Sequence, residues 1–534
     1  MPNLEPANRY FWRSLPLAKQ TGSAVFECLF QPSTGCAGES GIATLLESPY
    51  PLPIDSLPEQ AVPMARYSIC AGAPRSISGS NQLFIPELGH ILPFLKYLEE
   101  FSPPEAVVTN AEIAALPDHL PYVGGWLGWL GYDLAWEIER LPWLKADALP
   151  FPVAFWYEPA EFAVLDHVSQ QLWLASDHLE RLEHLIHKVL PLLRIALNAT
   201  ASDLSPANDR FTSIYIDKKV DQSVEKEGEL SVLKGLEEEL SEQKSLLSTS
   251  GRTEALALET DQQAFEQAVR LAKAHIRAGD VFQVNHSLRF RAQTNLSSWQ
   301  VYRSLQSINP SPFASYWHTP WGAVVSCSPE RLVCLKDGQA ESRPIAGTRP
   351  RGKTAQSDAE NARELKGDRK EQAEHIMLVD LERNDLGRVC QWGSVRVEDL
   401  MTIERYSHVM HLVSHITGQL DPQKSSTDLI ASLFPGGTIT GCPKVRCMEI
   451  IETLEPVRRS LFYGSCGYLD RRGRLDLNIL IRTLLLTPAA SSAPLKTTVY
   501  GQVGAGIVAD SDPEREWLES LQKAKAQLLA LGLP

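Results

Sequence analysis

Between Asp217 and Lys244 the chain carries nine acidic and five basic residues and not one aromatic side chain. Such a stretch cannot bury enough apolar surface to offset the entropy of ordering it, so it predicts an exposed insert or linker rather than part of a core. Its flanks, from about Thr200 to Glu259, share the Ser, Gly and Gln filler, with Val232–Leu247 the one candidate helix inside it. The insert therefore cuts the chain into an N-terminal region 1–199, the segment 200–259 and a C-terminal region 260–534.

Residues 1–199 alternate short β-like runs with turns, as in GSAVFECLF, ARYSICAGAP and GGWLGWLGYDLAW, and predict an antiparallel, aromatic-rich half. After the insert, Asp261 opens DQQAFEQAVRLAKAHIRAGD, where an N-cap aspartate, apolar residues at helical spacing and Gly279 past the end predict a helix. The strand VFQVNHSLRF follows. The remainder alternates strands (GAVVSCSPERLVCLK, TTVYGQVGAGIVAD) with helices (NARELKGDRKEQAEHIMLVDLERNDLG, CPKVRCMEIIETLE).

Composition removes several classes of function. With 51 Lys+Arg against 65 Asp+Glu the formal charge is -14, which argues against a nucleic-acid or anionic-membrane partner. Nine cysteines without a CxxC pair disfavour a zinc framework or a disulfide scaffold. The N-terminal residues lack a basic stretch followed by an apolar one, and no uncharged apolar run reaches the roughly 18 residues of a membrane span. A reduced, cytoplasmic or organelle-stromal protein is expected.

Several constellations carry chemistry. Glu371 and Glu374 lie three apart on one helix face, and Glu516 and Glu519 repeat that spacing in the last helix. Two such pairs suit an oxygen-ligand Mg²⁺ site, and each alone suits a solvated face. Gly504, Ala505 and Gly506 form a GxG element that a dinucleotide site would follow with another strand. The chain ends after one helix, so the reading that survives is a Gly-rich bend that lets backbone approach an anion, or a structural turn. Arg482, inside the apolar run DLNILIRTLLL, needs an anionic partner, either a substrate carboxylate or a protein acid. His411 in HVMHLVS is a core histidine or a catalytic one. RPIAGTRPRG and FPGGTITGCPKVR offer further bends for close backbone approach.

Taken in order, these blocks resemble the chorismate-utilising enzymes: anthranilate synthase component I, aminodeoxychorismate synthase component I, and the isochorismate and salicylate synthases. The resemblance covers Asp261 to Leu529 densely and Gly22 to Leu174 more loosely, through LLESP, RYSICAGAP and GGWLGWLGYDL. It implies an α+β body of large antiparallel β-sheets packed as a sandwich with flanking helices. It further implies Mg²⁺ held by Glu371, Glu374, Glu516 and Glu519 against the ring carboxylate of chorismate, and the enolpyruvyl carboxylate held by Arg482 and the Gly504–Gly506 backbone. His411, Thr348 and Tyr463 would line the ring, and Glu330 of SPERL would act as general acid/base with a raised pKa.

The isochorismate and salicylate branch resembles this chain except that it uses a lysine to activate water where Gln283 stands, which makes ammonia the expected nucleophile. FQVNHSLRF, SPFASYW and FPGGTITGCPKVR look closer to the aminodeoxychorismate branch. Ala346 in PIAGT, by contrast, stands where that branch carries a lysine nucleophile and is the anthranilate-type version. No cysteine sits in a GxCxG elbow, so ammonia is expected from a separate glutamine amidotransferase subunit. Leu46, Glu47 and Ser48 of LLESP, with Asn309 and Pro310 of NPSPF, resemble the family's tryptophan-binding elements. A non-catalytic amino-acid-binding homologue is the rival from another class, and it would predict erosion of the four glutamates or of Arg482.

Overall fold

The computed structural model describes residues 10–32, 41–48, 62–100, 116–199, 253–352, 354–405, 409–489 and 497–533. The candidate helix Val232–Leu247 lies outside them. Thr253–Leu258, which composition assigns to the insert, is instead a strand antiparallel to Gln283–Thr294. Its pairing is completed by side chains: Thr253 Oγ1 lies 2.9 Å from Thr294 Oγ1 and donates to the Leu531 carbonyl at 2.6 Å.

Among the described residues two large antiparallel sheets, of twelve and ten strands, form the body. Neither belongs to one region of the sequence. In the twelve-stranded sheet Ala43–Glu47 pairs with Phe313–Thr319, and in the ten-stranded sheet Gly125–Leu130 pairs with Ser465–Asp470. One apolar layer between them takes Trp317, Val324 and Leu485 from the first sheet and Trp129, Phe155 and Val333 from the second, all at most 1% exposed. Trp129 meets Trp317 edge to face at 5.8 Å, a contact worth about 0.5–1.5 kcal/mol beyond its buried area. On its outer face the twelve-stranded sheet is covered by helices Gln262–Ala278, Ser298–Ile308 and Pro513–Ala530, whose Phe265, Tyr302 and Trp517 join a second core.

Three local expectations change. GSAVFECLF is a helix, Gly22–Leu29, because Thr21 caps it through Ala24 N (3.2 Å) and Val25, Phe26 and Leu29 recur at helical spacing on its buried face. The long charged helical stretch is two helices, Ala355–Gly367 and Arg369–Gly387, broken at Asp368, whose carboxylate accepts from Lys370 N and Glu371 N. Arg482 lies in no strand: Leu475–Asn478 belongs to the ten-stranded sheet and Thr483–Pro488 to the twelve-stranded one, and the chain crosses between them with Arg482 at φ 49°.

A second crossover lies beside the first. Gly322–Ser328 runs in the twelve-stranded sheet and Arg331–Lys336 in the ten-stranded one, so Pro329 and Glu330 bridge them. Ser328 fastens the two crossovers together, donating to Ile479 O at 2.6 Å and accepting from Glu330 N at 3.2 Å. Ile479 N donates to Glu330 O at 3.0 Å, and Cys327 N to Arg482 O at 3.2 Å. Ser328→Ala strips a buried knot of these bonds and is expected to cost about 1–3 kcal/mol, read as a lowered thermal midpoint. An unchanged midpoint would remove Ser328 from the framework of the fold.

Candidate active site

The crossovers set Glu330 and Arg482 close together between the sheets. Glu330 is 6% exposed. Burial, reinforced by the nearby Glu382 carboxylate, pushes its pKa up to about 8 against the pull of Thr438 and Arg482. Arg482, only partly buried as a residue, has its guanidinium desolvated enough to lower its pKa. Among the described residues it makes no salt bridge, and its Nη1 donates to the neutral Asn309 Oδ1 at 2.7 Å. The protein acid that an apolar surrounding would demand is therefore not in contact with it, and its charge is available to a ligand anion.

Strand Ile345–Pro350 places Thr348 opposite His411 of strand Val409–Gln419, with Thr348 Oγ1 2.9 Å from His411 Nδ1. Burial, then the Arg482 charge, holds His411 down to about 3, so the imidazole is neutral. The strand bulges between Ala346 and Thr348, where Gly347 adopts φ 59°. A Cβ there would fall 2.7 Å from Leu365 Cδ1 and 3.0 Å from Glu371 Oε2, so glycine lets the strand lie against the glutamate helix. Tyr463 is fixed at the crossover, its N donating to Leu480 O at 2.9 Å, and its ring covers the Arg459 guanidinium at 4.6 Å.

The four glutamates sit on helices Arg369–Gly387 and Pro513–Ala530. Burial raises Glu371, Glu374 and Glu516; Glu374 reaches about 7, pushed further by Glu371, Glu516 and Glu519. Burial also opposes charge on Glu519, but Lys523 at 2.9 Å outweighs it and keeps that pKa low. Among the described residues Glu374 Oε1 is buried without a hydrogen-bond partner, with Lys370 Nζ 3.8 Å away. Mutually repelling carboxylates with an unmet oxygen are a fit donor set for a hard divalent cation. Among the described residues no three His, Cys, Asp or Glu side chains converge closely enough to hold a metal alone, so a cation here would keep waters or take ligand oxygens.

Gly504, Ala505 and Gly506 are not a bend. They run within strand Thr497–Ile507, opposite Ser287, His286 and Asn285, and neither glycine has positive φ. Glycine serves close approach instead: a Cβ at Gly504 would lie 2.5 Å from His286 O, and one at Gly506 2.2 Å from Gln283 Nε2. Lys523 Nζ donates to Gly504 O at 3.0 Å, which ties this strand to the last helix and its glutamates.

The tryptophan-like elements part company. Leu46, Glu47 and Ser48 line a pocket with Met64, Pro312 and Phe313. The Glu47 carboxylate already accepts from Ser23 N (2.9 Å), Tyr302 Oη (2.6 Å) and Gln306 Nε2 (2.6 Å), none of which lines that pocket. Asn309 and Pro310 are not in its lining; Asn309 holds Arg482 instead.

Sequence reasoning missed Glu382, 4% exposed, with a pKa pushed up to about 7 by burial and then by Asp385, and bonded through Oε2 to Ser342 Oγ at 2.9 Å. The signal was present, since 371, 374, 378 and 382 follow one helical face.

A proton held to about 8 on Glu330 predicts that activity falls as pH rises through about 8. The same raised pKa means that folding stability drains away as pH climbs from the usual carboxyl value to about 8, because the unfolded chain gives up that proton first. Glu330→Gln is expected to lose about 10²–10⁴ of the rate and to flatten this part of the stability–pH curve. A variant retaining full rate would exclude Glu330 from the chemistry.

Residues 94–529 match the family described as chorismate binding enzyme. The chain is 51% identical over 524 residues to an anthranilate synthase component I-like protein of Synechocystis sp., covering 98% of this chain and 92% of that one. It is 40% identical to aminodeoxychorismate synthase component 1 of Bacillus subtilis, over 77% of this chain and 78% of that one. The solved anthranilate synthase component I of Streptococcus pneumoniae superposes with a TM-score of 0.64 at 29% identity, over 87% of this chain and 92% of that one. Among the described residues no helix is long and apolar enough to cross a membrane. Motifs, sandwich and relatives converge, and the chain belongs to the chorismate binding enzymes, an enzyme family that includes the anthranilate and aminodeoxychorismate synthases.

Proposed function

We propose that this chain aminates chorismate with ammonia to 4-amino-4-deoxychorismate, as the component I of an aminodeoxychorismate synthase whose separate glutamine amidotransferase subunit supplies the ammonia. The observation that carries the reading is the pairing of a protonated buried acid, Glu330, with a guanidinium in contact with no protein carboxylate, Arg482. Chorismate offers both counterparts, a carboxylate for the clamp and an allylic hydroxyl that leaves more easily when protonated. The nitrogen lone pair forms a bond to the ring, the C4–O bond breaks, and the leaving oxygen takes the Glu330 proton to depart as water. Neutral His411 and Thr348 border the ring without adding charge, and Tyr463 closes it. Glu371, Glu374, Glu516 and Glu519 would hold Mg²⁺, which supplies charge neutralisation to the ring carboxylate when bound. The pocket at Leu46, Glu47 and Ser48, with Asn309 and Pro310 on the neighbouring turn, is read as a tryptophan-like amino-acid site.

Anthranilate plus pyruvate is the second reading, favoured by Ala346, which cannot form the covalent adduct that a lysine there would give. Purified protein incubated with chorismate, Mg²⁺ and excess ammonium salt separates the two. Accumulation of 4-amino-4-deoxychorismate, convertible to p-aminobenzoate by an added lyase, is expected. Anthranilate with stoichiometric pyruvate would overturn the assignment, and neither product would return the chain to the non-catalytic, amino-acid-binding class.

A further inference from the structure

Glu382 is a buried acid that the proposed reaction leaves without a task. It projects from helix Arg369–Gly387, where Ser342 Oγ donates to its Oε2 at 2.9 Å and Gly437 N donates to the same carboxylate. Glu330 makes the neighbouring pair of contacts, accepting from Ile345 N and from the Thr438 hydroxyl. Ser342 and Ile345 are the two ends of the short connection between strands Gln339–Ser342 and Ile345–Pro350, and Gly437 and Thr438 are consecutive in the GGTITG turn. Two acids thus bridge the same two segments side by side. The turn has little freedom of its own. A Cβ at Gly436 would lie 2.8 Å from Ile479 Cδ1, and one at Gly437 would collide with Leu381 Cδ2 and come within 3.4 Å of Glu382 Oε1, so the turn is wedged between the Ile479 crossover and the glutamate helix.

We propose that Glu382 is a positioning residue for the acid: it holds the GGTITG turn against the Ser342–Ile345 connection at the spacing that aims the Glu330 carboxyl at the leaving oxygen, and it faces that acid with a like charge. The inference rests on the reading of Glu330 as the proton donor. The charged groups around Glu382 are Asp385 on its own helix, Lys444 at the start of helix Lys444–Leu454, and Glu330 on the crossover. Lys444 Nζ lies 2.7 Å from Asp385 Oδ2, so its charge goes first to Asp385, on which Arg388 also acts; Arg482 acts on Glu330. Burial, then Asp385, pushes the Glu382 pKa up to about 7, below the value of about 8 at Glu330. Glu382 therefore ionises first as pH rises, and its charge delays the loss of the proton from Glu330.

The test compares Glu382→Gln and Glu382→Leu with the unaltered full chain, supplied with chorismate, Mg²⁺ and ammonium. Glutamine keeps both bonds, its amide oxygen accepting from Gly437 N and its N–H donating to Ser342 Oγ, and removes the charge. At about pH 6 its kcat is expected within about threefold of the unaltered protein, while the alkaline limb of kcat/KM for chorismate moves to lower pH by about one unit. Leucine removes bonds and charge together and is expected to lower kcat about ten- to a hundredfold with the KM for chorismate within about twofold, because neither Arg482 nor the four glutamates touch Glu382. A side chain that only supported the fold would leave the pH profile of the glutamine variant where it was. An unshifted alkaline limb in that variant, an unchanged kcat in the leucine variant, or a rise in the chorismate KM matching the loss of kcat would each overturn the assignment. If the unaltered protein aminates chorismate at neither carbon, the amination reading itself fails; if it does and the glutamine variant keeps its pH profile, only the role of Glu382 fails.

Discussion

The hydrogen bonds of Ser328 hold the two sheet-to-sheet crossovers as one unit, and the site depends on that unit. Glu330 and Arg482 are far apart in sequence and come from separate connections, yet Ser328 Oγ, Ile479 and Cys327 fix one connection against the other. Polar side chains fit a sandwich interior more easily where chain leaves one sheet for the other. The crossovers are such a place, because their backbone groups are satisfied by each other rather than by a ladder. The cost is an arginine held at positive φ, of order 1–2 kcal/mol, in the crossover next to the one that carries the acid.

The same desolvation then sets three chemical properties with different signs. It disfavours charge on Glu330 and on His411, leaving a protonated carboxyl beside a neutral imidazole, and it makes the Arg482 charge costly enough that an anion is welcome. Glu382, buried near Glu330, repels a second charge and keeps the acid protonated. One environment thus prepares acid, spectator and clamp together.

Much of this was legible in the residues, and the failures have physical causes. Helix Gln262–Ala278 follows from Asp261 as N-cap and Gly279 at φ 80°, both local signals. Local signals misled at GSAVFECLF, where a short apolar run fits period 2 and period 3.6 alike and only the Thr21 cap decides. Arg482 and the Gly504–Gly506 element stand in a different local structure from the one their sequence suggests. An arginine in DLNILIRTLLL reads as a strand interruption, and nothing local reveals that the run spans two sheets. Gly504 and Gly506 read as a turn, whereas they are set by Gln283 and His286 across a strand pair more than two hundred residues away.

The absence of a lysine at Ala346 bears on the product through protons as much as through nucleophiles. On the amination reading, ammonia entering at C2 as the C4 hydroxyl leaves would give an amino intermediate that stands in for the lysine adduct, and a second ammonia at C4 would expel the first as free ammonia. Pyruvate loss from that same intermediate requires a base for the C2 proton. His411, held near 3, is too weak, which leaves the Glu330 carboxylate as the candidate. Reprotonation of Glu330 by the new ammonium would remove that base. Retention of the enolpyruvyl group would then require Glu330 to be reprotonated before it acts as a base, so the balance between the two products reduces to the competition for one proton between Glu330 and its neighbours.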